Sequence, residues 1–294
     1  MTQRASVVAA VQSPTLLNIL AKADGWSLRV CELGDHSGLA ESQLLDVPMW
    51  QFQVDRDPEI VLVCTPQQLA TARTRWPKSR VLWLVHNGRE RGLLPADCED
   101  GVAGAVVFSE RLRWLCQAGR RPRFHFVSPA YEAVPEWSWK SNELWTLRNR
   151  PGTRSDDRDN VIAAITDGYN HTLYGQGQRV PFADDSTKKR LRSSCSAYVS
   201  ALDRAAGFAL AEHEAFAAGV PVIGGWWGDT ADELSPLYWA LQYDLGAMRR
   251  AVERVVADPG AAGELSELGC AYIATYRTQA RMNQTVADLI SRVL

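Results

Sequence analysis

Between residues 5 and 128 the chain repeats one pattern, a short and nearly continuous apolar run followed by a helix-like segment. The runs are ASVVAAV (5–11), SLRVCEL (27–33), EIVLVCT (59–65), RVLWLVHN (80–87), GAVVFS (104–109) and RFHFVS (123–128). A run without polar alternation has both faces buried, the condition of a strand in a parallel sheet covered by helices on both sides. Parallel neighbours cannot be joined by a tight turn, so the segments between them must cross over. SPTLLNILAKADGW (13–26) opens with Ser13 as a cap and Pro14 at the first helical position, and PQQLATARTRW and ERLRWLCQAG follow later runs. The first third therefore reads as a doubly wound α/β domain.

The pattern then breaks and restarts. SPAYEAVPEWSWKSN (128–142) holds two prolines and two tryptophans without a clean period, and reads as a hinge. Beyond it, ELWTLRN (143–149), HTLYG (171–175), SAYVSAL (196–202) and VPVIGG (220–225) read as strands. DDRDNVIAAITDG (156–168), DDSTKKRLRSSC (184–195), ALAEHEAFAAG (209–219), SPLYWALQYD, LGAMRRAVERVVADP and most of 260–294 read as helices. The expected architecture is two Rossmann-like halves facing a cleft, residues 1–133 and residues 134–270, with a helix at 271–294 packing back towards the first. Ligands of such sheets bind outside the carboxyl ends of the strands.

Charge narrows the ligand. The net charge is −2, but residues 109–192 hold 15 Lys and Arg against 10 Asp and Glu, in GRRPR (119–123), LRNRPGTR (147–154) and KKRLR (188–192). Such a middle third fits either an anionic ligand or a solvated surface. No apolar run approaches the roughly 18 residues that span a bilayer, and the N-terminus reads as a first strand and helix. Six scattered cysteines form no C-x-x-C pair, which fits buried thiols in a reducing cytoplasm. No G-x-G-x-x-G follows a strand, which excludes a nicotinamide dehydrogenase.

The most informative stretch is GFALAEHEAFAAGVPVIG (207–224). A glycine lets the backbone approach a ligand, a helix N-terminus offers free N–H groups to phosphate, and a carboxylate one turn on accepts ribose hydroxyls. A local cap or ion pair is the other fate open to that acid. The stretch resembles the C-terminal signature of the retaining nucleotide-sugar glycosyltransferases of GT-B fold, the E-x7-E family. Gly207, Phe208, Leu210, Glu214, Ala215, Ala217, Gly219, Pro221, Val222, Ile223 and Gly224 match in register, while the family's first Glu is replaced by Ala206. The resemblance implies that Gly207, Phe208, Ala209, Leu210 and Glu214 bind the donor. It places Arg148 and Arg154, in WTLRNRPGTRSDDRDNVIAAI, on the diphosphate, with Arg150 and Arg158 as competitors. It sets Gly175 of LYGQGQ under the base, and His86 of WLVHNG near the transferred sugar or as a structural histidine.

The implied reaction moves a sugar from a nucleoside-diphosphate sugar to an acceptor hydroxyl, with retention and without a metal or other cofactor. DRD (157–159) has the D-x-D form of metal-dependent transferases but opens a helix, where acids answer the dipole. A nucleotide-sugar epimerase and a catalytically degenerate binding subunit are the alternatives, the latter favoured by Ala206. Acceptors in view are a small metabolite, a cell-surface saccharide and a hydroxymethylated pyrimidine in DNA. The last rests on the basic middle third and on Trp137, Trp139 and Trp145 as stacking platforms.

Overall fold

The computed structural model describes residues 4–10, 14–31, 56–85, 94–120, 122–147, 156–174, 185–200, 210–224 and 244–294. The chain divides into two compact units, Met1–Ala130 with Arg277–Leu294, and Tyr131–Tyr276.

The first unit is built on a six-stranded, all-parallel sheet of order β2-β1-β3-β4-β5-β6. Its strands are β1 (Ala5–Ala9), β2 (Trp26–Val30), β3 (Ile60–Val63), β4 (Arg80–Leu84), β5 (Gly104–Val107) and β6 (Phe124–Phe126). All four residues of β3 and of β5 are buried, as the unbroken apolar runs require. Helices α1 (Pro14–Leu20), α2 (Pro66–Arg75) and α3 (Glu110–Gln117) provide the crossovers. Thr65 and Ser109 cap α2 and α3 by accepting the N–H groups of Gln68 and Leu112. One face of the sheet, from Val8, Val61, Val63, Trp83 and Val107, packs on Leu69, Ala72, Leu112 and Cys116 of α2 and α3.

The second unit holds a four-stranded parallel sheet of order β10-β9-β7-β8. The strands are β7 (Ser138–Leu147), β8 (His171–Tyr174), β9 (Ser194–Ser200) and β10 (Val222–Gly224). Around them lie α4 (Asp156–Thr166), α5 (Asp185–Ser193), α6 (Leu210–Ala217), α7 (Leu245–Ala257) and α8 (Pro259–Tyr276). Alternate strand residues serve two cores. Trp145, Tyr198 and Val222 face Ala215, Phe216, Tyr272 and Ile273 of α6 and α8. Leu144, Val199 and Ile223 face Met248, Val252 and Val255 of α7, with Ile165 of α4. A last helix, α9 (Gln279–Val293), belongs to the first unit. There Asn283 Oδ1 accepts the Asp24 N–H at 3.1 Å and Thr285 Oγ1 accepts that of Ser128 at 3.1 Å.

Two expectations are corrected. The hinge read over 128–142 is part strand: β7 starts at Ser138, with a register irregularity between Trp139 and Leu144. Its tryptophans are structural. Trp145 is 2% exposed, and the indole N–H groups of Trp137 and Trp139 donate to the carbonyls of Cys195 and Val255 at 2.9 Å each. Trp145 is buried and offers no face to a nucleic-acid base, whereas Trp137 and Trp139 are half-buried. The helix at 184–195 also ends earlier, since Ser194 and Cys195 already belong to β9.

Helix α6 ends at a left-handed glycine, Gly219, with φ of 76°. The Val220 N–H returns to the Ala215 carbonyl at 2.9 Å, closing the helix before β10. A Cβ there would meet Pro135 Cβ and Ser266 Oγ at 3.2 Å each. Gly219→Ala is expected to lower unfolding stability by at least about 1–2 kcal/mol, the cost of a left-handed L-residue, read as a shift in urea midpoint. An unchanged midpoint contradicts the cap.

Candidate active site

The carboxyl ends of β7, β9 and β10 lie side by side at Leu147, Ser200 and Gly224, and α6 starts beside them at Leu210. This is the edge where a parallel α/β sheet presents its ligand site. Of the residues assigned to the site by sequence, Leu210 and Glu214 are described, both on α6 and both half-buried. His86, Arg148, Arg154, Gly175, Gly207, Phe208 and Ala209 lie outside the described residues.

Three successive ionisable side chains leave α6 in three directions. Successive residues are about 100° apart around a helix, so each meets a different neighbour. Glu214 forms an ion pair and hydrogen bond with Arg192 near the end of α5; their side chains are 17% and 26% exposed. The carboxylate is thus already held by a cation, the local pairing open to it from sequence. Arg192 was legible only as part of the basic run KKRLR. Its neighbour Leu191, 6% exposed, shows that one face of that run packs inwards.

His213 is 1% exposed and turns away from the strand ends. Its Nε2 and the Tyr272 hydroxyl are hydrogen-bonded at 3.1 Å, and its ring stacks on Tyr131 at 5.8 Å and meets the edge of Phe216 at 6.2 Å.

Glu212, in the first turn, is 4% exposed. Burial pushes its carboxyl up to about 7, against the opposing pull of a hydrogen bond from the Ser200 side chain. Tyr198, fully enclosed between the strands and α6, is displaced in the same sense by burial and by the nearby Glu212 carboxyl. The sequence reading gave Glu212 no role. The available signal was the bare fact of an acid in so apolar a helix. Among the described residues no cluster of three or more His, Cys, Asp or Glu has the arrangement of a metal site. No helix among them is long and apolar enough to cross a membrane.

No protein-family model and no curated protein matches the sequence. Solved structures do match its fold. HepE of Anabaena, in complex with UDP-glucose, aligns with a TM-score of 0.70 at 12% identity, covering 98% of this chain and 100% of that one. A glycosyltransferase from Rickettsia africae aligns at 0.66 and 10% identity, over 99% of each chain. Sucrose-phosphate synthase from Thermosynechococcus elongatus aligns at 0.66 and 12% identity, again over 99% of each. The fold is that of the GT-B glycosyltransferases: two parallel sheets with their helices, as expected from the two series of apolar runs.

The Arg192–Glu214 pair supports a stability prediction. Arg192→Met leaves a half-buried carboxylate without its donor and is expected to cost about 1.5–3 kcal/mol, the range for a hydrogen bond to a charged group. Denaturant titration reads the loss, and a change below about 0.5 kcal/mol would show the pair to be incidental.

Proposed function

We propose that this chain is a glycosyltransferase that takes its sugar from a UDP-sugar and passes it, with retention of anomeric configuration, to an acceptor hydroxyl. One observation carries the reading. A chain of 294 residues superposes over 98% of its length on the whole of a protein crystallised with UDP-glucose. In addition, the stretch that resembles the donor-binding signature falls at the carboxyl edge of the second sheet, with Glu214 on α6.

In this reading each chemical demand has a residue type suited to it. Glu214 accepts the two ribose hydroxyls, with Arg192 fixing its orientation. Arg148 and Arg154 hold the diphosphate through their planar forks, and the N-terminus of α6 adds its dipole. Gly207, Phe208, Ala209 and Leu210 bind the donor, Gly175 serves the base, and His86 orients the sugar. The bond between the anomeric carbon and the diphosphate oxygen breaks and UDP leaves with the electron pair. The acceptor oxygen bonds to the same face, and its proton passes to the departing phosphate. Arginine charge stabilises the leaving group, so the proposal uses no metal.

Thermal unfolding in the presence of UDP-, GDP-, ADP- and dTDP-sugars tests the donor. A UDP-sugar at 100 times its dissociation constant adds about 2.7 kcal/mol, and Glu214→Gln is expected to abolish that gain. A gain that survives in the variant refutes the ribose role, whereas Glu214→Gln that merely lowers the ligand-free midpoint assigns the acid to the Arg192 pair alone. Release of UDP from the preferred donor should persist in excess EDTA. Complete loss on chelation contradicts the metal-free reading.

A further inference from the structure

The first unit carries a cavity that the proposed reaction does not use. It lies at the amino-terminal edge of the sheet, between the end of α2 and the start of β4 at Arg80. Its other wall is the segment Asp100–Ala103, which leads from the short helical turn Ala96–Gly101 into β5. The volume is about 340 Å³, at the small end of the range for ligand sites. All strands of this sheet run parallel, so the cavity and the carboxyl ends of the strands occupy opposite edges. The usual ligand edge of such a sheet is the carboxyl one, and this cavity is therefore a separate feature.

Backbone bonds hold both walls. The Ser79 N–H donates to the Trp76 carbonyl at 3.1 Å, the Ser79 hydroxyl donates to the Pro58 carbonyl, and the Arg80 N–H donates to the Glu59 carbonyl at 2.9 Å. Opposite them, the Ala103 N–H donates to the Val81 carbonyl at 2.7 Å. Trp76 and Val81 supply a buried apolar lining, 3% and 5% exposed. The charged lining is Arg73, Arg80 and Asp100, all exposed. Arg73 reaches over the Gly101 backbone, where a Cβ would come within 3.3 Å of its Nη1. Other arginines of the unit are taken by acids: Arg4 by Asp24, Arg113 by Glu110 and Arg120 by Glu99. Among the described residues no carboxylate forms an ion pair with Arg73 or Arg80. Two guanidinium groups thus line one cavity with their N–H groups uncommitted.

We propose that this cavity binds a small phosphomonoester that carries hydroxyl groups. Charge selects an anion, and the number of forks selects phosphate. A carboxylate has two oxygens and is matched by one guanidinium, whereas the three terminal oxygens of a phosphomonoester take both. Asp100 selects the rest of the ligand. A carboxylate in the same cavity opposes a bare polyanion and accepts hydrogen bonds from hydroxyl groups at the ligand's far end. Trp76 and Val81 meet its carbon skeleton. Arg73 stands in the last turn of α2, where a cation answers the helix dipole, and that role uses none of its N–H groups. The proposal involves the first unit alone and is independent of the donor reading.

Calorimetric titration of the full chain with glucose 6-phosphate, glycerol 3-phosphate, gluconate and inorganic phosphate tests the proposal. Wild type should bind the two phosphomonoesters, and bind gluconate at least about tenfold more weakly, the loss of one charged hydrogen-bonding fork. Arg73→Gln and Arg80→Gln, both at exposed side chains, should each weaken phosphomonoester binding at least about tenfold while leaving the urea midpoint in place. Asp100→Asn should weaken glucose 6-phosphate and strengthen inorganic phosphate. Saturating UDP should leave the titration of wild type unchanged, since the two sites lie apart. No binding of either phosphomonoester overturns the proposal, as does equal affinity for gluconate or affinity that survives in both arginine variants. A matching response of both phosphates to Asp100→Asn removes the selection for hydroxyl groups. Displacement by UDP assigns the phosphate to the donor site and overturns the separate one. UDP binding measured in the same wild-type protein tests the donor reading on its own, so either reading fails without the other.

Discussion

Helix α6 carries Glu212, His213 and Glu214 in succession into surroundings made of Ala215, Phe216, Val222 and Ile273. Burying any of the three unmatched costs several kcal/mol, so the local structure is arranged around matching them. Glu212 is met through Ser200 at the end of β9, His213 through the Tyr272 hydroxyl, and Glu214 through Arg192. Helical geometry makes this possible, since 100° per residue sends each side chain to a different element. The consequence is that the start of α6 cannot move without disturbing β9, α8 and α5. A rigid start is what a ligand-binding helix needs, because its free N–H groups are useful only if they are held in place.

The same arrangement separates two adjacent carboxyls by environment. Glu214 lies against the Arg192 guanidinium. Glu212 is enclosed, linked to neutral hydroxyls and pushed up to about 7. An enclosed acid with a perturbed carboxyl is a recurrent feature of functional sites. Here the pattern coincides with the carboxyl edge of a parallel sheet.

Much of the fold could be read from the chain because burial on both faces leaves an unbroken apolar run, and Ile60–Val63 and Gly104–Val107 show that run directly. Gly219 was readable as a left-handed cap because a helix must stop before VPVIG begins. The hinge was misread where local composition and tertiary pairing disagree. Polar Ser138, Lys140, Ser141 and Asn142 obscure a strand whose start is anchored by Trp137, just before it, and Trp139, whose indole N–H groups donate to distant carbonyls. Those bonds span 58 and 116 residues and leave no local trace. Arg192 and Ser200 were missed for the same reason: neither has a motif, and both acquire a role only when α5 and β9 fold against α6. Glu214 is singled out by its spacing in the signature, which a sequence records, while its pairing with Arg192 comes from the fold.

The account depends on Glu214 receiving a ribose at the end of the second sheet. Titrating wild type and Glu214→Gln with UDP and with 2′-deoxy-UDP isolates that contact, because the two ligands differ by a single hydroxyl. The account predicts that wild type binds UDP at least about tenfold more tightly, about 1.4 kcal/mol, and that Glu214→Gln binds both alike. Equal affinities in wild type, or discrimination that survives in the variant, would contradict it.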